Sequence, residues 1–148
     1  MSRAIVSKHP HFTRLSIDGI LHDNHGLCGI DYPADLYSKY LDEADADFDR
    51  IFAELLDAAH DIVVDRSLYS KEDRDRHKRE VEKRGARWVL VYFRPTSKDV
   101  IWERIRGRRE AGINADSALD ISRELLDKYW DGFDVPDGEG EIVVNVDN

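Results

Sequence analysis

The sequence predicts an α/β protein with three layers, α/β/α, built around a mostly parallel sheet. Strand-like runs alternate along the chain with amphipathic segments of helical period. The run "DIVVD" (61–65) shows no polar alternation, which is typical of a strand that is covered on both faces. The run "RWVLVYF" (87–93) is the strongest strand signal in the chain. Strands separated by helices of this length pair in parallel through right-handed crossovers. The 148 residues fit a single domain over 1–148.

The first half of the chain is predicted to contain a short helix, two strands and a long helical region. Residues 1–8 have helical character, and "FTRLSID" (12–18) alternates like a strand. The segment 19–33 is rich in Gly and Asn and is predicted to be a loop. Apolar residues recur at three or four positions over 34–60, which predicts one helix or two. The strand 61–65 follows.

The second half is predicted to alternate helices and strands. Ser70 followed by Asp73 resembles a helix N-cap, and the helix runs to about Arg84, where Gly85 ends it. After the strand 87–93, Thr96 or Ser97 caps a helix that runs to about 109. Residues 117–133 form a further helix, and "EIVVNVD" (141–147) forms a closing strand.

Composition and charge exclude several classes of function. No apolar run approaches the roughly 20 residues that cross a membrane, so no membrane partner is expected. Cys28 is the one cysteine, which indicates a reducing compartment and predicts a cytoplasmic location. The net charge is −9, which argues against broad nucleic-acid binding, yet residues 66–109 hold 15 of the 22 Lys+Arg. This basic segment could concentrate small anions, or it could simply coat solvent-facing helices.

Acids follow two of the predicted strands. Asp18 comes after "RLSI" and Asp65 after "IVV", and the carboxyl ends of parallel strands are where such sheets bind ligands. An acid in this position can hold hydrated Mg²⁺ or act on a substrate hydroxyl, although it also commonly caps the turn that follows. Arg66 could contact a phosphate or pair with an acid.

An arginine cluster supplies the third candidate feature. Arg104 and Arg108 are four residues apart and share a helix face, and Arg109 lies next to them, whereas Arg106 faces away. Guanidinium groups suit phosphate oxygens and keep their charge, but an Arg-rich face is often simply solvated. Two acids with such a helix would provide the groups that phosphoryl transfer requires.

The histidines of "HDNHG" are weaker candidates. His22 and His25 with Asp23 could hold a metal, but no further His or Cys clusters nearby, and a structural zinc site needs four ligands. Loop histidines near a substrate cleft are the favoured interpretation.

Five blocks of the chain resemble the small P-loop kinase-like proteins, which include the zeta-toxin-like kinases and related single-domain ATP-binding proteins with an AAA domain. The resemblance implies a transferase that uses ATP and Mg²⁺ and phosphorylates a small-molecule hydroxyl acceptor. It implies that Asp65 is the Walker B residue at magnesium, that Asp18 acts on the acceptor hydroxyl, and that the arginine segment closes over the nucleotide. The blocks are "HPHFTRLSIDGI", "DIVVDRSLYSKEDRD", "RWVLVYF", "IWERIRGRREAGINADSALDIS" and "LLDKYWDGFDVPDGEGEIVV".

The family's phosphate-binding signature, G-x-x-x-x-G-K-[ST], does not occur in this sequence, which has no Gly-Lys pair. "MSRAIVSKHP" is similar to the rear of the helix that follows that loop, so we expect the chain to begin just past a missing first strand, which lies mid-sheet in the family. Weak or absent catalysis is therefore expected. The alternative is a non-catalytic interaction module, or a fragment that another copy or a partner chain completes at the open sheet position.

Overall fold

The structure, a computed structural model, describes residues 1–146. The chain divides into two compact units, which we call unit 1 (Met1–Ser67 with Asn114–Leu119) and unit 2 (Leu68–Ile113 with Asp120–Asn148). Each unit contains a two-stranded parallel sheet together with helices. This arrangement confirms the predicted α/β class with parallel pairing, while the assignment of 1–148 to one domain stays a prediction.

Unit 1 is built on strands β1 (Phe12–Ser16) and β2 (Asp61–Asp65), which pair in register from Phe12 opposite Asp61 to Ser16 opposite Asp65. Its helices are α1 (Ser2–Lys8), α2 (Ile17–His25) and α3 (Tyr37–Asp57), with a 3₁₀ turn at Ala34–Leu36 and another at Ala115–Ser117. Helices α1 and α3 each contact both strands, and α2 packs on α3.

The core of unit 1 lies between α2, α3 and the loop that joins them. Its buried members come from both helices, from the loop and from the returning segment at 118, and apolar residues of α2 and α3 pack around them. Phe48 and Phe52 of α3 are also buried. The cluster consists of Leu21, Cys28, Tyr32, Ala44 and Ala118.

Unit 2 is built on strands β3 (Val91–Pro95) and β4 (Ile142–Val146), paired from Val91 opposite Ile142 to Pro95 opposite Val146. Its helices are α4 (Lys71–Glu82), α5 (Lys98–Glu110) and α6 (Arg123–Gly132). Helix α5 contacts both β3 and α6.

A buried ion pair joins α4 of unit 2 to the turn that precedes β4. Arg74 donates to Glu139 from Nε at 2.9 Å and from a terminal nitrogen at 2.6 Å, and the two side chains are only 1% and 4% exposed. Lys78 also reaches Glu139, at 3.2 Å, and lies over the Trp88 ring. Charge pairs buried to this extent fix local geometry, because either partner left alone would be an uncompensated buried charge.

The prediction of a loop over 19–33 is wrong for its first part, which is helix α2. The Ser16 side chain accepts a hydrogen bond from the Gly19 backbone N–H and so caps the helix. The burial of Leu21 in the core then holds it. Strand β1 consequently ends at Ser16, and Asp18 lies in the first turn of α2 rather than at a strand end.

Two other elements have bounds that differ from prediction. The strand expected at 87–93 is Val91–Pro95, because its extent follows the strand β4 with which it pairs. The helix expected over 117–133 begins only at Arg123, where the Ser122 side chain accepts from the Leu125 N–H. Residue 118 belongs instead to the core of unit 1. Position 147 of the predicted closing strand lies outside the described residues.

The predicted caps of α4 are confirmed. The Ser70 side chain accepts from the Asp73 N–H at 3.1 Å. Gly85 has φ +68, and the hydrogen bonds that close the helix run from the Gly85 N–H to Glu82 and from the Ala86 N–H to Val81. Within residues 1–146, every helix is too short or too polar to span a bilayer.

Candidate functional site

The two predicted acids lie at the same edge of the sheet in unit 1. Asp65 is the last residue of β2, and its partner in the register is Ser16, the last residue of β1. Asp18 follows two residues later, in the first turn of α2, where it is exposed. Parallel pairing therefore brings Asp18 and Asp65 to one edge, as the sequence predicts.

The Asp65 carboxylate is held by two side chains of unit 1. Its Oδ2 atom accepts hydrogen bonds from Ser2 Oγ at 2.5 Å and from Arg14 Nε at 2.7 Å, and a terminal nitrogen of Arg14 lies 2.5 Å away in an ion pair. Arg14 Nε also contacts Ser2 Oγ at 3.1 Å. One carboxylate oxygen thus accepts two hydrogen bonds and also lies in ion-pair contact with the guanidinium group.

These contacts change the acidity of Asp65. Partial burial of the carboxyl by itself raises its pKa, but the hydrogen bonds from Ser2 and Arg14 and the charge of Arg14 outweigh that effect and lower the pKa. The group is therefore a stably ionised member of an ion pair. A catalytic general base, by contrast, needs a pKa closer to the working pH.

The cluster extends to a second carboxylate, on the segment that returns to unit 1. Asp116 Oδ1 accepts a hydrogen bond from Arg14 at 3.2 Å, and its Oδ2 lies 2.6 Å from a terminal nitrogen of Arg3 in an ion pair. Arg14 thus bridges two acids, and its side chain is only 19% exposed. We call the five side chains Ser2, Arg3, Arg14, Asp65 and Asp116 the Arg14 cluster.

Sequence reasoning missed the Arg14 cluster apart from Asp65. One signal was available, because Arg14 is a charged residue inside a short strand, between Thr13 and the buried Leu15. A half-buried charge on a strand requires a counter-ion. The pattern did not identify which acid supplies it, since Asp65 and Asp116 lie 51 and 102 residues away.

The Arg14 cluster does not fit a magnesium site. Mg²⁺ is bound through carboxylate oxygens with free lone pairs and is repelled by a neighbouring cation, whereas Asp65 Oδ2 already accepts from a guanidinium. Across residues 1–146, no three or more His, Cys, Asp and Glu side chains are grouped so that they could hold a metal ion. The role of Asp65 as a metal ligand stays a prediction that this arrangement does not favour.

Arg66 points into unit 1 rather than towards the sheet edge. It pairs with Asp45 of α3 at 3.0 Å, and its guanidinium lies 4.8 Å from the centre of the Phe48 ring. The side chain is 13% exposed. Of the two interpretations of Arg66, pairing with an acid therefore describes the structure, and its contact with a phosphate stays a prediction.

The arginine cluster lies on helix α5 of unit 2. Arg104 and Arg108 are exposed, one turn apart, and Arg109 lies 3.5 Å from Asp120. Guanidinium groups suit anions, and Asp120, between the 3₁₀ turn at Ala115–Ser117 and α6, supplies a carboxylate for Arg109. Their roles in nucleotide binding and phosphoryl transfer stay predictions.

His22 and His25 lie on helix α2, so their assignment to a loop is wrong. The His25 ring stacks on Tyr40 with 3.7 Å between ring centres, and its Nε2 lies 3.0 Å from Glu43 Oε2. His25 thereby fastens α2 to α3. Nearby, burial and the facing Cys28 thiol raise the pKa of Tyr32 to about 12, so this tyrosine is neutral and belongs to the core.

Comparisons with known proteins give a match at the level of fold. No protein-family model matches the chain, and no curated protein matches it. Among solved structures, it is similar to the crystal structure of a protein from Chloroflexus aurantiacus J-10-fl that carries a provisional kinase designation. The TM-score is 0.70 at 17% sequence identity, over 97% of this chain and 78% of that chain. The likeness establishes an α/β fold shared with a kinase-like protein.

Proposed function

We propose that this chain is a relative of small ATP-dependent phosphotransferases that turns over nucleotide weakly or not at all. The fold supports the first half of the proposal, since it is shared with a kinase-like structure. Because one fold can carry many activities, the fold does not indicate how fast nucleotide is turned over. The expectation of weak or absent turnover rests on the site.

The observation that carries the proposal is that the Asp65 carboxylate is held by Ser2 and Arg14. In a phosphotransferase of this type, an acid after the second strand would need to engage a metal that neutralises phosphate charge. Here its Oδ2 atom is held by Ser2 and Arg14 at 2.5–2.7 Å. Residues 1–148 contain no Gly-Lys pair, so the lysine of the P-loop signature does not lie within them.

The remaining candidates are consistent with binding of an anion or a hydroxyl compound rather than with efficient catalysis. Asp18 is exposed at the edge of the unit 1 sheet and could accept a hydrogen bond from a small-molecule hydroxyl. Arg104 and Arg108 of unit 2 could attract a phosphate group.

Phosphate release from ATP with excess Mg²⁺ tests the proposal. We expect the wild-type rate to equal that of Asp65→Asn and of Asp18→Asn, at the level of the protein-free reaction. Asp61→Asn is the matched control, because Asp61 is an exposed acid at the opposite end of β2. A wild-type rate well above the protein-free reaction, retained in Asp61→Asn and lost in the other two variants, would contradict the proposal.

A second candidate function is that of an interaction module completed by strand addition. Within residues 1–146, β2 and β3 each pair with a single strand, so each has one open edge. Val89, just before β3, is 72% exposed, and Val91 and Phe93 of β3 are 39% and 40% exposed. Open edges with apolar neighbours favour pairing with an extended segment of another chain.

Light scattering across a concentration series tests this second function for pairing between copies. If β3 is a pairing edge, the mass should rise with concentration, and Phe93→Lys should lower it. A mass that stays monomeric throughout, together with fast amide exchange along β3, would count against self-pairing.

A further inference from the structure

The guanidinium group of Arg14 lies between the carboxylates of Asp65 and Asp116, in the position that a metal cation shared by them would take. Its Nε donates to Asp65, and the terminal nitrogen that lies 2.5 Å from Asp65 donates to Asp116 at 3.2 Å. Arg3 holds the second oxygen of Asp116 at 2.6 Å. Both acids are therefore neutralised by positive charges of the chain itself.

Arg14 does not lose its positive charge by deprotonation. An arginine keeps its charge at every relevant pH, and the pKa of Arg14 is raised further because its hydrogen bonds and charge interactions with Asp65 and Asp116 outweigh its partial burial. A divalent cation at Asp65 would have to displace the guanidinium and so take from the half-buried Arg14 the closer of its two counter-ions, which costs free energy.

We propose that Arg14 is a built-in counter-ion that excludes divalent cations from the carboxylates of Asp65 and Asp116. This inference rests on the proposed function, since it gives a physical cause for weak or absent turnover at the same site. It differs from that proposal in assigning the cause to one side chain that can be replaced.

Removal of the Arg14 charge should then unmask a cation site. In Arg14→Gln, the guanidinium that contacts both Asp65 and Asp116 is gone, while Arg3 still pairs with Oδ2 of Asp116. The charge of Asp65 is then without its arginine partner, which favours a divalent ion there. Asp65 and Asp116 carboxylates and the Ser2 hydroxyl would be the available oxygens.

The experiment is a titration with Mn²⁺ alone, in which free Mn²⁺ is followed by electron paramagnetic resonance. We expect the wild type to show no saturable site. Arg14→Gln should gain one saturable Mn²⁺ site, and this gain should disappear in the double variant with Asp65→Asn. Arg50→Gln is the matched control, because Arg50 bridges two carboxylates of α3, Asp47 and Glu54, at 3.0 Å each but is 57% exposed. It should leave Mn²⁺ binding unchanged.

Two results would overturn the proposal. One is an Arg14→Gln protein that folds, by circular dichroism, but gains no Mn²⁺ site. The other is a wild-type protein that already binds Mn²⁺ at a site lost in Asp65→Asn. If Arg14→Gln does not fold, Arg14→Met, which keeps the aliphatic length, takes its place. If neither variant folds, the comparison of wild type with Asp65→Asn decides. Because no nucleotide is present, the outcome is independent of ATP turnover.

Discussion

Arg14 and Asp65 lie on the same face of the two-stranded sheet in unit 1, as diagonal neighbours. Arg14 is opposite Val63 in the register, and Asp65 is two residues further along β2. Residues two apart on a strand point to the same face, so the arginine reaches along the sheet to the carboxylate, at 2.7 Å from Nε. Because β1 and β2 pair in parallel in this register, Asp65 at the end of β2 forms an ion pair with Arg14 of β1.

The buried pair of unit 2 should contribute more to stability than any surface pair. Glu139→Gln or Arg74→Met should each lower the free energy of unfolding by about 3 kcal/mol or more, because each leaves a buried charge without its partner. A double-mutant cycle measured by urea unfolding should show strong coupling between the two residues. Arg106 and Glu110, an exposed pair on α5 at 3.2 Å, are the control and should couple by about 0.3–0.5 kcal/mol. Equal coupling in the two cycles would contradict the burial argument.

Stability should fall in acid because of Glu139. Its hydrogen bonds with Arg74, helped by Lys78, outweigh its burial and lower its pKa from an ordinary 4.5 to about 2. The folded state therefore favours the charged carboxylate, and this stabilisation is complete above about pH 4.5 and is lost as the pH falls towards 2. The loss should be about 3 kcal/mol. Urea unfolding at several pH values should give a shallower acid dependence for Glu139→Gln than for the wild type, whereas Glu110→Gln, at an exposed position, should follow the wild type.

Two helical glycines should respond in opposite ways to alanine. A Cβ at Gly132 of α6 would lie 2.0 Å from Tyr69 Oη, so Gly132→Ala should destabilise the protein by about 1–3 kcal/mol through overpacking. At Gly107 of α5 a Cβ would meet nothing within 4 Å, and Gly107→Ala should raise stability by up to about 1 kcal/mol through helix propensity. Thermal unfolding of both variants provides the measurement. Tyr69→Phe should restore part of the loss at Gly132, and no restoration would show that the hydroxyl is not the obstacle.

Local signals predicted the parts of the fold that local chemistry determines. The caps of α4 at Ser70 and Gly85 and the strand Asp61–Asp65 were predicted, because caps and β-branched runs act within a few residues. The pattern over 19–33 predicts a loop, whereas its first part belongs to helix α2. Local pattern does not reveal this helix, because its stability comes from packing of Leu21 into a core with residues far along the chain. The start of β3 at Val91 is likewise determined by its partner strand.

Only part of the candidate site could be predicted from the sequence. The place of Asp65 at a sheet edge follows from its position after a strand, so the sequence could predict it. Its pairing with Arg14, 51 residues away, depends on which strands are neighbours and on their register. The sequence pattern alone did not contain that information.

Thermal unfolding with and without Mg²⁺ and ATP tests the central claim, which is that the Asp65 carboxylate is held in an ion pair with Arg14 and does not bind Mg²⁺ with nucleotide. Tight binding would stabilise the folded protein by about 2.7 kcal/mol at a hundredfold excess over Kd. We predict no change in the Tm of the wild type and none in Asp65→Asn when nucleotide is added. A clear rise in the wild-type Tm that Asp65→Asn abolishes would contradict the account.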